Sequence, residues 1–133
     1  MKVLLIIITC LFAAILLSCA KRLSKQNTVL VDVEEKQMLL DLEDVQLVDV
    51  RTSLEYQNGH INKALNIDYN SPTFSEEIAH LDKDKPVVLY CQKGGRSAKS
   101  AKKMSKAGFK NIYDLKGGFL MWKSEKLDLK LLE

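Results

Sequence analysis

Cysteine is scarce in this chain of 133 residues. Three occur, Cys10, Cys19 and Cys91, and the first two lie in or at the edge of an N-terminal apolar segment. Only Cys91 can be a free thiol within a folded domain. That excludes an internal disulfide framework and a resolving-cysteine cycle within one chain. Histidine is limited to two residues, and no Cys/His cluster of ligand spacing exists, so neither a metal nor an organic cofactor is expected. Charge of one sign is also lacking. The net charge of +3 is mild and owes part of its value to Lys2, and nothing alternates basic and aromatic residues in the manner of a nucleic-acid groove, so no nucleic-acid partner is expected. Length sets a further bound: without the N-terminal segment, about a hundred residues remain, enough for a single core and too few for a second domain.

The longest apolar run, Val3 to Leu17, follows the short positive start Met1-Lys2 and is too short for a comfortable membrane span. It reads as a targeting signal. It closes on Leu16-Leu17-Ser18-Cys19-Ala20, which resembles a bacterial lipobox, in which a small residue precedes a cysteine that is lipid-modified and becomes the first mature residue. The resemblance implies a signal peptide over 1–18, lipidation at Cys19 and a tether over 19–27. The domain at 28–124 and a C-terminal tail at 125–133 would then stand outside the cytoplasm, anchored to a bacterial membrane in the cell envelope. An uncleaved anchor helix is the alternative.

The rest of the chain is organised around Cys91-Gln92-Lys93-Gly94-Gly95-Arg96-Ser97. Pro86 to Tyr90 is an apolar strand whose proline occupies the first position, where no donor is lost. A glycine turn follows, and Ser97 to Ala107 then has helical spacing: Ala98, Ala101 and Met104 share one stripe, Lys99, Lys102, Lys103 and Lys106 lie largely on an exposed face, and Gly108 ends it. A sulfur at this strand end faces unpaired backbone N–H groups and the positive end of the helix macrodipole, which favour a thiolate. Gly94 and Gly95 can adopt positive φ and let the backbone turn inward.

Upstream, Thr28 to Val31 is a β-branched run, and Asp32 with Glu35 forms a capping pair before a helix carrying Met38, Leu39 and Leu42. Val45 to Val50 has the near-continuous apolar character of a parallel strand buried on both faces, with Asp49 and Arg51 at its C-terminal end. Thr52-Ser53 caps a short helix at Leu54-Glu55-Tyr56 that stops at Asn58-Gly59. His60-Ile61 and Ala64 to Ile67 lead into a third strand. Ser71-Pro72 opens a helix through Phe74, Ile78 and Leu81, Asn111 to Leu115 is a fifth strand, and Gly117-Gly118 turns into a helical segment holding Phe119 and Trp122. Strands alternating with helices over short connections predict an α/β fold with a parallel sheet and helices on both faces. Ligands in such sheets bind beyond the carboxyl ends of the strands.

Four stretches in this order and spacing together resemble the rhodanese-like family of single-domain sulfurtransferases: Val48-Asp49-Val50-Arg51-Thr52, Gly59-His60-Ile61 with Ala64, the loop Cys91 to Ser97, and Leu115-Lys116-Gly117-Gly118-Phe119 with Trp122. Asn62-Lys63 departs from the proline and glycine usual before Ala64, in a connection and not in the loop. The resemblance implies a three-layer fold with a five-stranded parallel sheet flanked by helices. It also implies that Cys91 carries sulfane sulfur as a persulfide, from an anionic donor such as thiosulfate, or another persulfide, to an external thiol or protein cysteine. Gln92, Lys93, Gly94, Gly95, Arg96 and Ser97 would hold the sulfur through their amides. Arg96 would order the loop, either by bracing backbone carbonyls or by offering charge to the donor, with Lys93 at the rim. Asp49, Arg51 and His60 read as structural residues near the site, and Phe119 and Trp122 as core or pocket wall. A phosphatase or arsenate reductase of the same fold and a non-catalytic binding or redox-sensing module on the envelope are the competing readings. The spacing Cys-x4-Arg makes a smaller cradle than the Cys-x5-Arg of the phosphatases and suits a single sulfur better.

Overall fold

The computed structural model describes residues 1–3, 6–8, 10, 27–32, 34, 35, 39, 41, 44–125, 129 and 130. Its elements in chain order are β1 (Thr28–Val31), β2 (Gln46–Asp49), α1 (Ser53–Gln57), β3 (His60–Ile61), β4 (Leu65–Asn66), α2 (Phe74–Ala79), β5 (Val87–Tyr90), α3 (Gly95–Lys106), β6 (Ile112–Leu115), α4 (Gly118–Ser124) and β7 (Leu129–Lys130). The strands β1-β6-β5-β2-β4, in that order, form one sheet, and each neighbouring pair is parallel. The five-stranded parallel sheet flanked by helices is therefore the architecture of this chain.

Alternation along the strands makes the three layers, because successive side chains of a strand point to opposite faces. In β5 all four residues are fully buried, and Val87 and Leu89 join Val48, Ile112, Phe74, Ile78, Ala101 and Met104 on the face covered by α2 and α3. Val88 and Tyr90 join Leu47, Leu115, Phe119 and Trp122 on the face covered by α4. Each large apolar side chain so enclosed contributes roughly 1.5–3 kcal/mol. The face of α3 that meets the sheet is Ser97, Ser100, Ala101 and Met104, all buried, whereas Ala98, expected on the same stripe, is exposed.

The register decides what the site contains. Asp49 pairs with Tyr90, and the Val50 amide donates to the Tyr90 carbonyl oxygen at 2.9 Å. Adjacent parallel strands thus bring Asp49-Val50-Arg51 alongside Cys91 across 41 residues of sequence.

Three elements differ from the sequence reading, the first being α2, which starts at Phe74 and not at Ser71-Pro72 and ends before Leu81. Helix α3 begins at Gly95 and not at Ser97, because Gly94 (φ 121°, ψ −14°) completes the turn and its carbonyl already accepts from Ala98 N. His60-Ile61 is a separate two-residue strand and not the approach to β4: it pairs antiparallel with β7, His60 against Lys130 and Ile61 against Leu129. Part of the segment read as a C-terminal tail therefore forms a second small sheet, a pairing across about 70 residues that local pattern cannot register. Cys19, residues 11–18, the tether at 20–26 and most of the helix expected after Asp32, including Met38 and Leu42, lie outside the described residues.

Candidate active site

Cys91 is the first residue after β5 and is 2% exposed. The amide of Gly94 donates to Cys91 Sγ at 3.0 Å, which requires the chain to double back within three residues; the positive φ of Gly94 allows it. Burial pushes the Cys91 thiol up. The Ser97 amide and hydroxyl and the Gly94 and Lys93 amides outweigh burial, leaving the thiol more acidic than an ordinary cysteine. Ser97 is itself fully buried, and its Oγ donates to the Gly94 carbonyl oxygen at 3.1 Å, closing the loop on the first turn of α3.

The loop is held from behind by α4. Phe119 N donates to the Cys91 carbonyl oxygen at 2.8 Å and Leu120 N to that of Gln92 at 3.2 Å, so the first turn of α4 finds partners in the cysteine loop. Gly118 makes this approach possible: a Cβ there would lie 2.5 Å from Cys91 O and 2.8 Å from Gln92 C, and its φ is +61°. The Gly117-Gly118 pair, read from sequence only as a turn, is thus the contact surface between α4 and the site.

Two arginines brace the loop from the sides. Arg51, 2% exposed, is held by Asp49 through Nε at 3.0 Å and Nη2 at 2.6 Å. Its Nη2 also donates to the Gly59 carbonyl oxygen at 2.8 Å and its Nη1 to Gln92 Oε1 at 3.1 Å, while Phe119 lies under the guanidinium at 4.0 Å. A buried ion pair survives only when its remaining donors are also satisfied, and these contacts satisfy them. The Asn66 side chain donates to the carbonyl oxygens of Asp49 and Arg51, tying β4 to the same knot.

Arg96 donates through both terminal nitrogens to Glu55, at 2.7 and 2.8 Å. Glu55 is also the third residue of α1, where it closes a capping box with Thr52. The Arg96 hydrogen bond holds its carboxyl down at about 2 against the opposing effect of burial, with Thr52 adding to the shift. The Arg96 guanidinium is thus ion-paired with a carboxylate of another helix. Glu55 escaped the sequence reading as a site residue; the Thr52-x-x-Glu55 spacing of a capping box was the available signal, and it points to a helix start, not to a partner across the fold.

His60 stacks on the Tyr56 ring at 3.7 Å and its Nδ1 lies 2.9 Å from the Tyr56 carbonyl oxygen, so one ring nitrogen and one ring face are engaged by packing. Lys93 is exposed at the rim, and the side chains of Lys99, Lys102, Lys103 and Lys106 are exposed along α3. Gly95 opens α3 with clear space where a Cβ would stand. Among the described residues, no three His, Cys, Asp or Glu side chains come together as metal ligands do.

Residues 32–125 match the family model of the rhodanese-like domain. The uncharacterized protein YqhL of Bacillus subtilis is 34% identical over 116 residues, covering 87% of this chain and 90% of that protein. The thiosulfate sulfurtransferase GlpE of Shewanella oneidensis is 33% identical over 92 residues, covering 69% of this chain and 89% of that one. Among solved structures, a rhodanese-related protein from Thermoplasma volcanium superposes with a TM-score of 0.68 at 26% identity, covering 77% of this chain and 97% of its own.

Proposed function

Because the chain belongs to the rhodanese-like family, we propose that it is a sulfurtransferase that carries sulfane sulfur on Cys91. The observation that carries this reading is the Gly94 amide 3.0 Å from a buried Cys91 sulfur whose thiol is more acidic than usual. A thiolate so placed attacks the outer sulfur of thiosulfate. The S–S bond of the donor breaks, sulfite leaves with the electron pair, and Cys91 bears a persulfide whose terminal sulfur sits among the same amides. An external thiolate or cyanide then attacks that terminal sulfur and returns Cys91 as thiolate. The acceptor comes from outside because the domain holds no second cysteine. Similarity to a thiosulfate sulfurtransferase supports thiosulfate as donor, and the Cys-x4-Arg spacing argues against a phosphoryl group. In this reading Leu16-Leu17-Ser18-Cys19 anchors the domain to the cell envelope by a lipid on Cys19.

Intact-mass measurement after incubation with thiosulfate tests the proposal. One added sulfur is expected on the wild-type chain, removed by cyanide with release of thiocyanate, and none on Cys91→Ser. Thiosulfate:cyanide turnover persisting in Cys91→Ser would overturn it.

A further inference from the structure

The register of β1 and β6 sets Thr28 beside Ile112 and Leu30 beside Asp114. Ile112 belongs to the core under α3, so alternation along the strands turns Thr28, Leu30 and Asp114 to that same side. From α3, Ala98, Ala101 and Lys102 stand three and four positions apart and share one stripe of the helix. Together these side chains line a cavity of about 190 Å³. It exists because β1 is the edge of the sheet and the two alanines are too small to fill the space above it, which leaves Leu30 60% exposed.

Two of the wall residues carry ionisable groups, and they do not pair with each other. Asp114 is 5% exposed, and its Oδ1 is, among the described residues, a buried side-chain oxygen left without a hydrogen-bond partner. A bare carboxyl oxygen in such a place is costly. Burial accordingly raises Asp114 above the usual carboxylate range, and the Ser97 hydroxyl offsets only part of that rise. Lys102 stands on the exposed side of α3 and makes no ion pair among the described residues, with Asp114 or with another carboxylate.

We propose that this groove binds a small zwitterion of the α-amino acid class. Its ammonium donates to Asp114 Oδ1, its carboxylate accepts from the Lys102 amine, and a short apolar side chain lies on Leu30, Ala98 and Ala101. Charge complementarity selects the class. A simple amine would satisfy Asp114 but meet the like charge of Lys102, and a simple carboxylate would do the reverse, whereas a molecule carrying both groups satisfies both walls. Size selects within the class. The cavity is smaller than the roughly 300 Å³ at which pockets for drug-sized ligands begin, and it has room for roughly six waters at about 30 Å³ each. Glycine, alanine or serine fits that space and tryptophan does not. The walls include no residue of the loop Cys91 to Ser97, so nothing in this reading draws on sulfur transfer.

Ligand-observed NMR titration of the full chain with L-alanine tests the proposal, with ethylamine and propionate as probes that each carry one of the two charges. The wild-type chain is expected to bind L-alanine saturably and about tenfold or more tighter than either half-molecule. Asp114→Asn keeps an oxygen in place and removes the charge, Lys102→Gln removes the opposite charge, and each is expected to weaken L-alanine binding by about tenfold. Ala98→Leu, at an exposed helical position, fills the groove with a larger side chain and is expected to abolish binding while leaving persulfide formation at Cys91 unchanged. That variant and Lys102→Gln serve even if Asp114→Asn fails to fold. Absence of saturable binding to the wild-type chain, equal affinity for L-alanine and a half-molecule, or undiminished binding in any of the three variants would each overturn the proposal.

Discussion

At Cys91 two opposed effects act on one atom: enclosure favours the neutral thiol, and converging amides favour the thiolate. The amides prevail because the loop is short and turns at Gly94, whose φ of +121° aims its N–H at the sulfur. A Cβ at Gly94 meets no atom within 4 Å, so a substitution acts there through the backbone dihedral alone. Forcing a β-branched residue into that region costs about 1–3 kcal/mol, most simply relieved by swinging the amide away. Gly94→Val is therefore expected to keep the circular dichroism of the folded domain while slowing persulfide formation by on the order of tenfold or more. Wild-type rates in this variant would show that the amide is dispensable.

Among the elements, α4 and the cysteine loop behave as one unit, since the amides of Phe119 and Leu120 are satisfied by the carbonyls of Cys91 and Gln92. Gly118 sets their separation. Gly118→Ala would place a methyl group 2.5 Å from a backbone oxygen that has no free rotamer to yield with, and overpacking of this kind costs about 1–3 kcal/mol. A lowered thermal midpoint together with slower persulfide formation is expected. Gly95→Ala, at a helical position with open space around the Cβ, should hold or raise the midpoint. Equal midpoints for the two variants would mean that α4 is free to retreat. Local pattern made these elements legible unevenly. The apolar runs of β2 and β5 and the alanine and lysine periodicity of α3 are visible in the sequence, whereas β3 and β7 are two residues each and exist by pairing with one another.

For the molecule as a whole, the order β1-β6-β5-β2-β4 places the C-terminal ends of β2 and β5 side by side. The Asp49–Arg51 pair, Gln92 and Cys91 form one constellation as a result. The proposed envelope anchor belongs to this scale as well. In the proposed form, attachment depends on a lipid at Cys19. Metabolic labelling with a radioactive fatty acid is expected to mark the wild-type chain and not Cys19→Ala, which should also leave the membrane fraction. Equal labelling of both would remove Cys19 from the proposal.

Local sequence was enough for the buried strands β2 and β5, for α3 and for the cysteine loop. Continuous apolar strands, helical spacing and a cysteine before a glycine turn are local features, and their consequences, a buried parallel sheet and a sulfur facing free amides, follow from backbone geometry within a few residues. Tertiary structure alone decided what surrounds that atom. Glu55 holds Arg96 across 41 residues, Gly118 fits against Cys91 O, and Arg51 reaches Gln92 from the end of another strand. Each of these contacts joins residues remote in sequence, so it depends on strand order and register, which the sheet sets as a whole.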